Sequence, residues 1–280
     1  MRHRDHHHDE GLAFDLSTLL DRRRALKLLA GAGVLAVAGC ASDGDPPARS
    51  SPSTAGGPAT TAAGSAAGAT GDCETIPRET PGPFPGDGSN GPDVLSQSGI
   101  VRSDITSSFG SASGVADGVP LTVNLTVLDQ SKACAARAGA AVYVWQCDRE
   151  GRYSLYSEGA TDQNYLRGVQ VADANGVVTF RSIFPAAYPG RWPHIHFEVY
   201  PNLPAATGAG TKLATSQLAL PGDVCEEVYA SAGYGTSGRT LAQTSLTRDN
   251  VFRDDGGVRQ LATVSGDLSS GLVANLSVPV

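Results

Sequence analysis

Hydrophobic and polar positions alternate with a period of two along several short stretches of this chain. Leu121, Val123, Leu125 and Val127 are separated by Thr122, Asn124 and Thr126, the pattern of a strand with one face buried. Ala140–Cys147 is a β-rich run, and Gly176–Ser182, His194–Tyr200, Lys212–Leu220 and Leu272–Val278 read likewise. Gly, Asp and Asn clusters such as Asp148-Arg149-Glu150-Gly151 and Asp173-Ala174-Asn175-Gly176 punctuate these runs and mark turns. The one helical pattern is short, over Val224–Ala230. Short strands divided by turn signals predict an all-β fold, an antiparallel β-sandwich with long loops.

Composition agrees with this. The 280 residues are 40% hydrophobic and 18% charged, with 34 Gly and 17 Pro, apolar enough to bury a core and too poor in charge for long surface helices. The net charge of -7 argues against a nucleic-acid binder, which needs a basic patch to neutralise phosphates.

Upstream of Cys73 the pattern changes. Arg22-Arg23, within Asp21–Lys27, resembles a twin-arginine signal, and the apolar run Leu28–Ala38 has 11 residues. A membrane-spanning helix needs about 20, so the run reads as a signal-peptide core. It ends in Val37-Ala38-Gly39-Cys40, which resembles a bacterial lipobox. In residues 41–72, 28 of 32 are Ala, Gly, Ser, Thr or Pro. Nothing there offsets the entropy of ordering, so the segment reads as a tether spanning roughly 30 Å. The expected organisation is a signal peptide over 1–40, a linker over 41–72 and a folded head over 73–280. The head would be exported and lipid-anchored at Cys40 to the outer face of the bacterial cell membrane. The only membrane contact would be that anchor.

Four cysteines remain in the head: Cys73, Cys134, Cys147 and Cys225. An even number in an oxidising compartment predicts two disulfides out of three connectivities. Cys134 and Cys147 flank one loop and the next strand, which favours pairing them and joining Cys73 to Cys225.

Beyond the signal segment there are two histidines, His194 and His196. On a strand, residues two apart share a face, so both imidazoles project together while Ile195, Phe197 and Val199 face the core. A metal between the rings is one reading; a surface pair is another. Glu198 shares the face and would complete a site for a divalent metal, yet it lies about 10 Å beyond the midpoint of the His pair on a straight strand. Tyr153, just past a Gly turn, and Tyr188, in a turn-rich stretch, are the nearby oxygen candidates. Two phenolates and two imidazoles suit a hard trivalent ion such as Fe(3+).

Several motifs now agree in order. Glu79-Thr80-Pro81-Gly82-Pro83-Phe84, Gly151-Arg152-Tyr153, Tyr165-Leu166-Arg167-Gly168-Val169-Gln170, Gly176–Ile183, Tyr188-Pro189-Gly190-Arg191, His194-Ile195-His196-Phe197 and Thr215-Ser216-Gln217-Leu218 together resemble the signature of intradiol ring-cleavage dioxygenases. The resemblance runs from about residue 73 to 230. It implies Fe(3+) held by Tyr153, Tyr188, His194 and His196, with Tyr188 the ligand that leaves when substrate binds. It implies Arg191 beside the substrate position and Gln217 behind it. The activity implied is cleavage of a catechol between its two hydroxyl-bearing carbons with O2, giving a cis,cis-muconate-type diacid. Three features depart from the usual family pattern. Only Pro189 and Gly190 separate Tyr188 from Arg191, where an aromatic or a longer insertion is usual. Ala186-Ala187 precedes Tyr188 where Pro-Gly is common, and no helical dimerisation domain precedes the sandwich. A non-catalytic surface sandwich and an exported two-His enzyme with a divalent metal stay open as alternatives at this point.

Overall fold

The computed structural model describes residues 73–280. The twin-arginine segment, Cys40 and the linker over 41–72 lie outside those residues. Among the described residues, nine strands form two sheets. The first contains β1 (Pro120–Asp129), β2 (Ala135–Ala136), β5 (Val177–Ile183), β8 (Thr263–Asp267) and β9 (Gly271–Pro279). The second has the order β4 (Arg167–Val171), β3 (Ala141–Trp145), β6 (His194–Tyr200), β7 (Ala214–Ala219). Three short helices, α1 (Leu203–Thr207), α2 (Gly222–Tyr229) and α3 (Ser237–Leu241), sit in the connections.

The sandwich is as expected, with one qualification. The second sheet is antiparallel throughout, whereas in the first β1 runs parallel to β9, Leu121 beside Leu272 through Leu128 beside Pro279. The central strands are those whose alternation is clearest. Leu121, Val123, Leu125 and Val127 of β1 meet Ile195, Phe197 and Val199 of β6 in one apolar core.

The second sheet is buried on both faces. Every residue of β3 and β6 is buried. Its outer face carries Tyr143, Trp145, His194, His196, Glu198 and Tyr200, and the irregular chain of residues 80–100 lies across it, with Val94, Leu95 and Ile100 packed against Tyr143 and Trp145. A buried polar face needs internal partners, and this is where the polar side chains of the site gather.

The cysteine pairing differs from expectation. Cys73 is bonded to Cys134, with Cα atoms 5.8 Å apart, and Cys147 and Cys225 are free and buried. The parallel pairing of β1 and β9 is the reason. Ile76 N–H donates to Pro279 at the end of β9, and Cys134 N–H donates to Asp129 at the end of β1, so the entering chain meets the turn that leaves β1. Cys147 lies two residues beyond β3 of the other sheet, against the Ala186 carbonyl. Cys225 lies on α2 within the main core. Burial pushes the Cys147 thiol up to about 12, so it stays protonated and unreactive.

Candidate metal centre

The four residues that the sequence suggests as ligands converge. Tyr153 Oη is 3.2 Å from Tyr188 Oη, and Tyr188 Oη is 3.1 Å from His194 Nε2. His194 Nε2 is 3.1 Å from His196 Nε2, which is 3.3 Å from Tyr153 Oη. The four atoms close a ring with nearly equal edges. Donors about 2.1 Å from a shared ion stand about 3.0 Å apart at right angles and about 3.4 Å apart at tetrahedral angles, so the ring has the size of a metal's coordination sphere.

Local sequence places each donor. On β6 the two-residue period brings both imidazoles to the outer face, and Trp145, across from His196 in the register, stacks on that ring at 4.8 Å. Tyr153 follows a turn built by Asp148, whose Oδ1 accepts from the Glu150 and Arg152 amides, with Gly151 at φ 85°. Tyr188 opens a second turn, closed by Arg191 N–H on its carbonyl. Tyr153 is buried, while Tyr188 is half-buried.

The two histidines have the protonation a metal site requires. His194 Nδ1 donates to the Trp192 carbonyl, which turns its Nε2 lone pair into the ring. Burial, reinforced by Arg191, holds His194 down to about 3, and burial with His194 and Arg191 holds His196 well below its ordinary value. Both are neutral imidazoles at physiological pH. Burial, then Tyr188, pushes Tyr153 well above the usual phenol range. As a metal donor that phenol would have to ionise, which a positive charge within the ring favours.

Gly82, at φ 69°, lies against His196, and a Cβ there would come within 3.3 Å of His196 Cε1. Phe84 packs on Tyr153 at 4.8 Å. The Gly-Pro-Phe stretch therefore roofs the donors. It is held by Arg167, a buried guanidinium that donates to the carbonyls of Phe84, Pro85 and Ser154 and to the hydroxyls of Ser154 and Tyr143.

Arg191 is buried beside the ring. Its Nε donates to Asp249 at 3.0 Å and its Nη2 to Gln217 Oε1, while Gln217 Nε2 donates to Thr80. Burial works against the guanidinium charge, and Tyr188 and Asp249 more than offset it. The sequence pointed to Arg191 and Gln217 but not to Asp249, whose partner stands 58 residues away.

Glu198 is not a ligand. It is buried, and it pairs with Lys212 at 2.6 Å and accepts from Tyr200 at 2.7 Å. Among the described residues, no group of three or more His, Cys, Asp or Glu side chains is placed to hold a metal. The two-His-plus-carboxylate arrangement for a divalent ion is therefore not formed among the described residues.

A family model described as dioxygenase matches residues 90–232. A solved intradiol ring-cleavage dioxygenase from Tetranychus urticae matches at 26% identity and TM-score 0.59, covering 74% of this chain and 96% of that one. The chain belongs to the intradiol ring-cleavage dioxygenases. The dioxygenase domain of a carbohydrate-binding fusion protein from Streptomyces sp. SirexAA-E matches at 24% identity and TM-score 0.46, over 73% of this chain and 97% of that one. Catechol 1,2-dioxygenase from Pseudomonas arvilla C-1 matches at 17% and TM-score 0.45, over 72% and 61%. No curated protein matches the sequence. Within this dioxygenase the Gly82–Phe84 roof, the Arg191–Gln217 pair and the four convergent donors occupy one continuous site.

Proposed function

We propose that this protein is a non-haem ferric dioxygenase that opens catechol-type rings between their two hydroxyl-bearing carbons, consuming O2 and yielding a cis,cis-muconate-type diacid. The observation that carries this reading is the closed ring of two phenol oxygens and two imidazole nitrogens with a buried arginine beside it. Tyr153, Tyr188, His194 and His196 would hold Fe(3+). When bound, that ion keeps phenolates ionised and draws electron density from a chelated catecholate, which opens the ring carbons to O2.

The side chains divide the remaining work. Both histidines are neutral and exchange no proton near pH 7, so they serve as constant donors. Tyr153 is sealed beneath Phe84 and stays in place. Tyr188 is half-buried at the mouth, so it can trade its position for a substrate oxygen and accept the hydroxyl proton at its own Oη. Arg191 is a fixed cation in a site shielded from water, placed to support negative charge that develops on the opening ring. Nη1 has no protein acceptor among the described residues, so it is free to face substrate.

Absorption spectroscopy of the iron-loaded protein tests the reading. Phenolate ligation gives a visible band that shifts when catechol is added without oxygen, and admitting air should consume the catechol with formation of the diacid. Stoichiometric iron with no visible band would refute phenolate ligation. We further propose that the head is exported through Arg22-Arg23 and tethered by a lipid on Cys40. Cys40→Ala should release it into the medium, and retention on the membrane would refute the anchor.

A further inference from the structure

Asp249 is fully buried and accepts four hydrogen bonds. Its Oδ2 accepts from Arg191 Nε at 3.0 Å and from Trp192 N at 2.6 Å. Its Oδ1 accepts from the amides of Val251 at 2.7 Å and Phe252 at 3.2 Å. Burial alone would raise this carboxyl, but Arg191 and the amide donors hold it below the ordinary range, so it is an anion.

We propose that Asp249 is a positioning residue for ring cleavage, acting through Arg191; this rests on the role proposed above for that arginine. Its two oxygens do different things. Oδ1 closes the 249–252 turn, which carries Phe252 to a ring distance of 6.5 Å from His194. Oδ2 seizes Arg191 at Nε while Gln217 takes Nη2. These two grips fix both the place and the rotation of the planar guanidinium, and they leave the Nη1 donors for the substrate. The same Oδ2 holds the Trp192 amide, and the Trp192 carbonyl receives His194 Nδ1. One carboxylate thus ties the arginine, the entry to β6 and the turn facing His194 into a single unit. Without its counter-charge, a buried guanidinium would move toward solvent or rotate, and displacing a catalytic group by about 1 Å costs on the order of 100-fold in rate.

Asp249→Asn separates the two functions. An Asn oxygen still accepts from Val251 and Phe252, but its amide nitrogen faces the Arg191 and Trp192 donors. The experiment is a double-mutant cycle with Arg191→Leu on iron-normalised protein. It reads the oxygen-free catechol complex by absorption and ring cleavage by single turnover. The expected result for Asp249→Asn is an unchanged catechol spectrum and affinity within about threefold, with cleavage slowed on the order of 100-fold. In the Arg191→Leu background the same substitution should slow cleavage less than twofold. Equal losses in both backgrounds, or no loss in either, would overturn the proposal. If Asp249→Asn alone is insoluble, the double variant should fold, because both charges leave together; insolubility of both would show that the fold needs the carboxylate independently of Arg191 and would overturn the proposal too. Wild-type cleavage by Arg191→Leu would instead overturn the role given to the arginine.

Discussion

Arg167 offers a sharp test of how the roof over the site is held. Its side chain is buried, and its partners are three backbone carbonyls and two hydroxyls, with no carboxylate among them. Removing it as Arg167→Met leaves some acceptors satisfied. Pro85 O keeps the Tyr143 hydroxyl at 2.7 Å, and Ser154 Oγ still donates to Tyr165 O. The carbonyls of Phe84 and Ser154 have no other donor among the described residues. Stranding the buried Ser154 carbonyl costs about 1–3 kcal/mol, and the half-buried Phe84 carbonyl adds a smaller penalty. Met recovers part of this by filling the volume without a desolvated charge. A net loss of about 2 kcal/mol is expected. Arg167→Lys should not restore it, because a point-charge ammonium cannot span acceptors that the five-donor fork reaches. Urea unfolding at constant m-value measures the change. The roof should loosen as well, and hydrogen exchange at Gly86, whose amide donates to Tyr156 Oη at 2.8 Å, should accelerate. A loss below about 1 kcal/mol for Arg167→Met, or full rescue by Lys, would refute the reasoning.

Other outcomes follow from the same geometry. Reducing Cys73–Cys134, or replacing Cys134 by Ser, opens a cross-link of sequence separation 61 and should cost about 4 kcal/mol in the chain-entropy picture, read by urea unfolding with and without reductant. Exactness of pairing is checked by peptide mapping, where Cys147 and Cys225 should label only after denaturation. His194→Ala or His196→Ala should lose most bound iron, measured by metal analysis, whereas Tyr188→Phe should keep much of it with an altered visible band. Glu79 is pushed up to about 8 by burial and then by Asp254, with Asp255 adding to the rise while Gln260 and Arg191 oppose it. A raised carboxyl stabilises the fold at low pH and loses that contribution as pH climbs from about 4.5 to about 8. Glu79→Gln should therefore gain stability over wild type at pH 8.5 and lose the advantage near pH 4.5, and a pH-independent difference would contradict this.

Much of the architecture was legible in the chain because strand periodicity is a local property. His194–Tyr200 was predicted with the observed bounds, and β1, β3, β5, β7 and β9 within about three residues at each end. β8 (Thr263–Asp267) was not, because its side chains are largely exposed and it forms only by pairing with β9; nor was β4, whose Arg and Gly mask an edge strand. The shared face of the two histidines was legible for a related reason, since residues two apart on a strand point the same way; the tyrosines were suggested by the resemblance of their flanking motifs, not by periodicity. What the tertiary structure alone decided is which distant groups meet. The parallel β1–β9 pairing, not proximity in sequence, joined Cys73 to Cys134. Burial of the second sheet on both faces turned Glu198 to Lys212 instead of to the histidines. Asp249 carries no local signal, since one Asp in a polar loop looks like any other. It matters because the fold brings it, desolvated, against Arg191, where a buried charge must find its opposite.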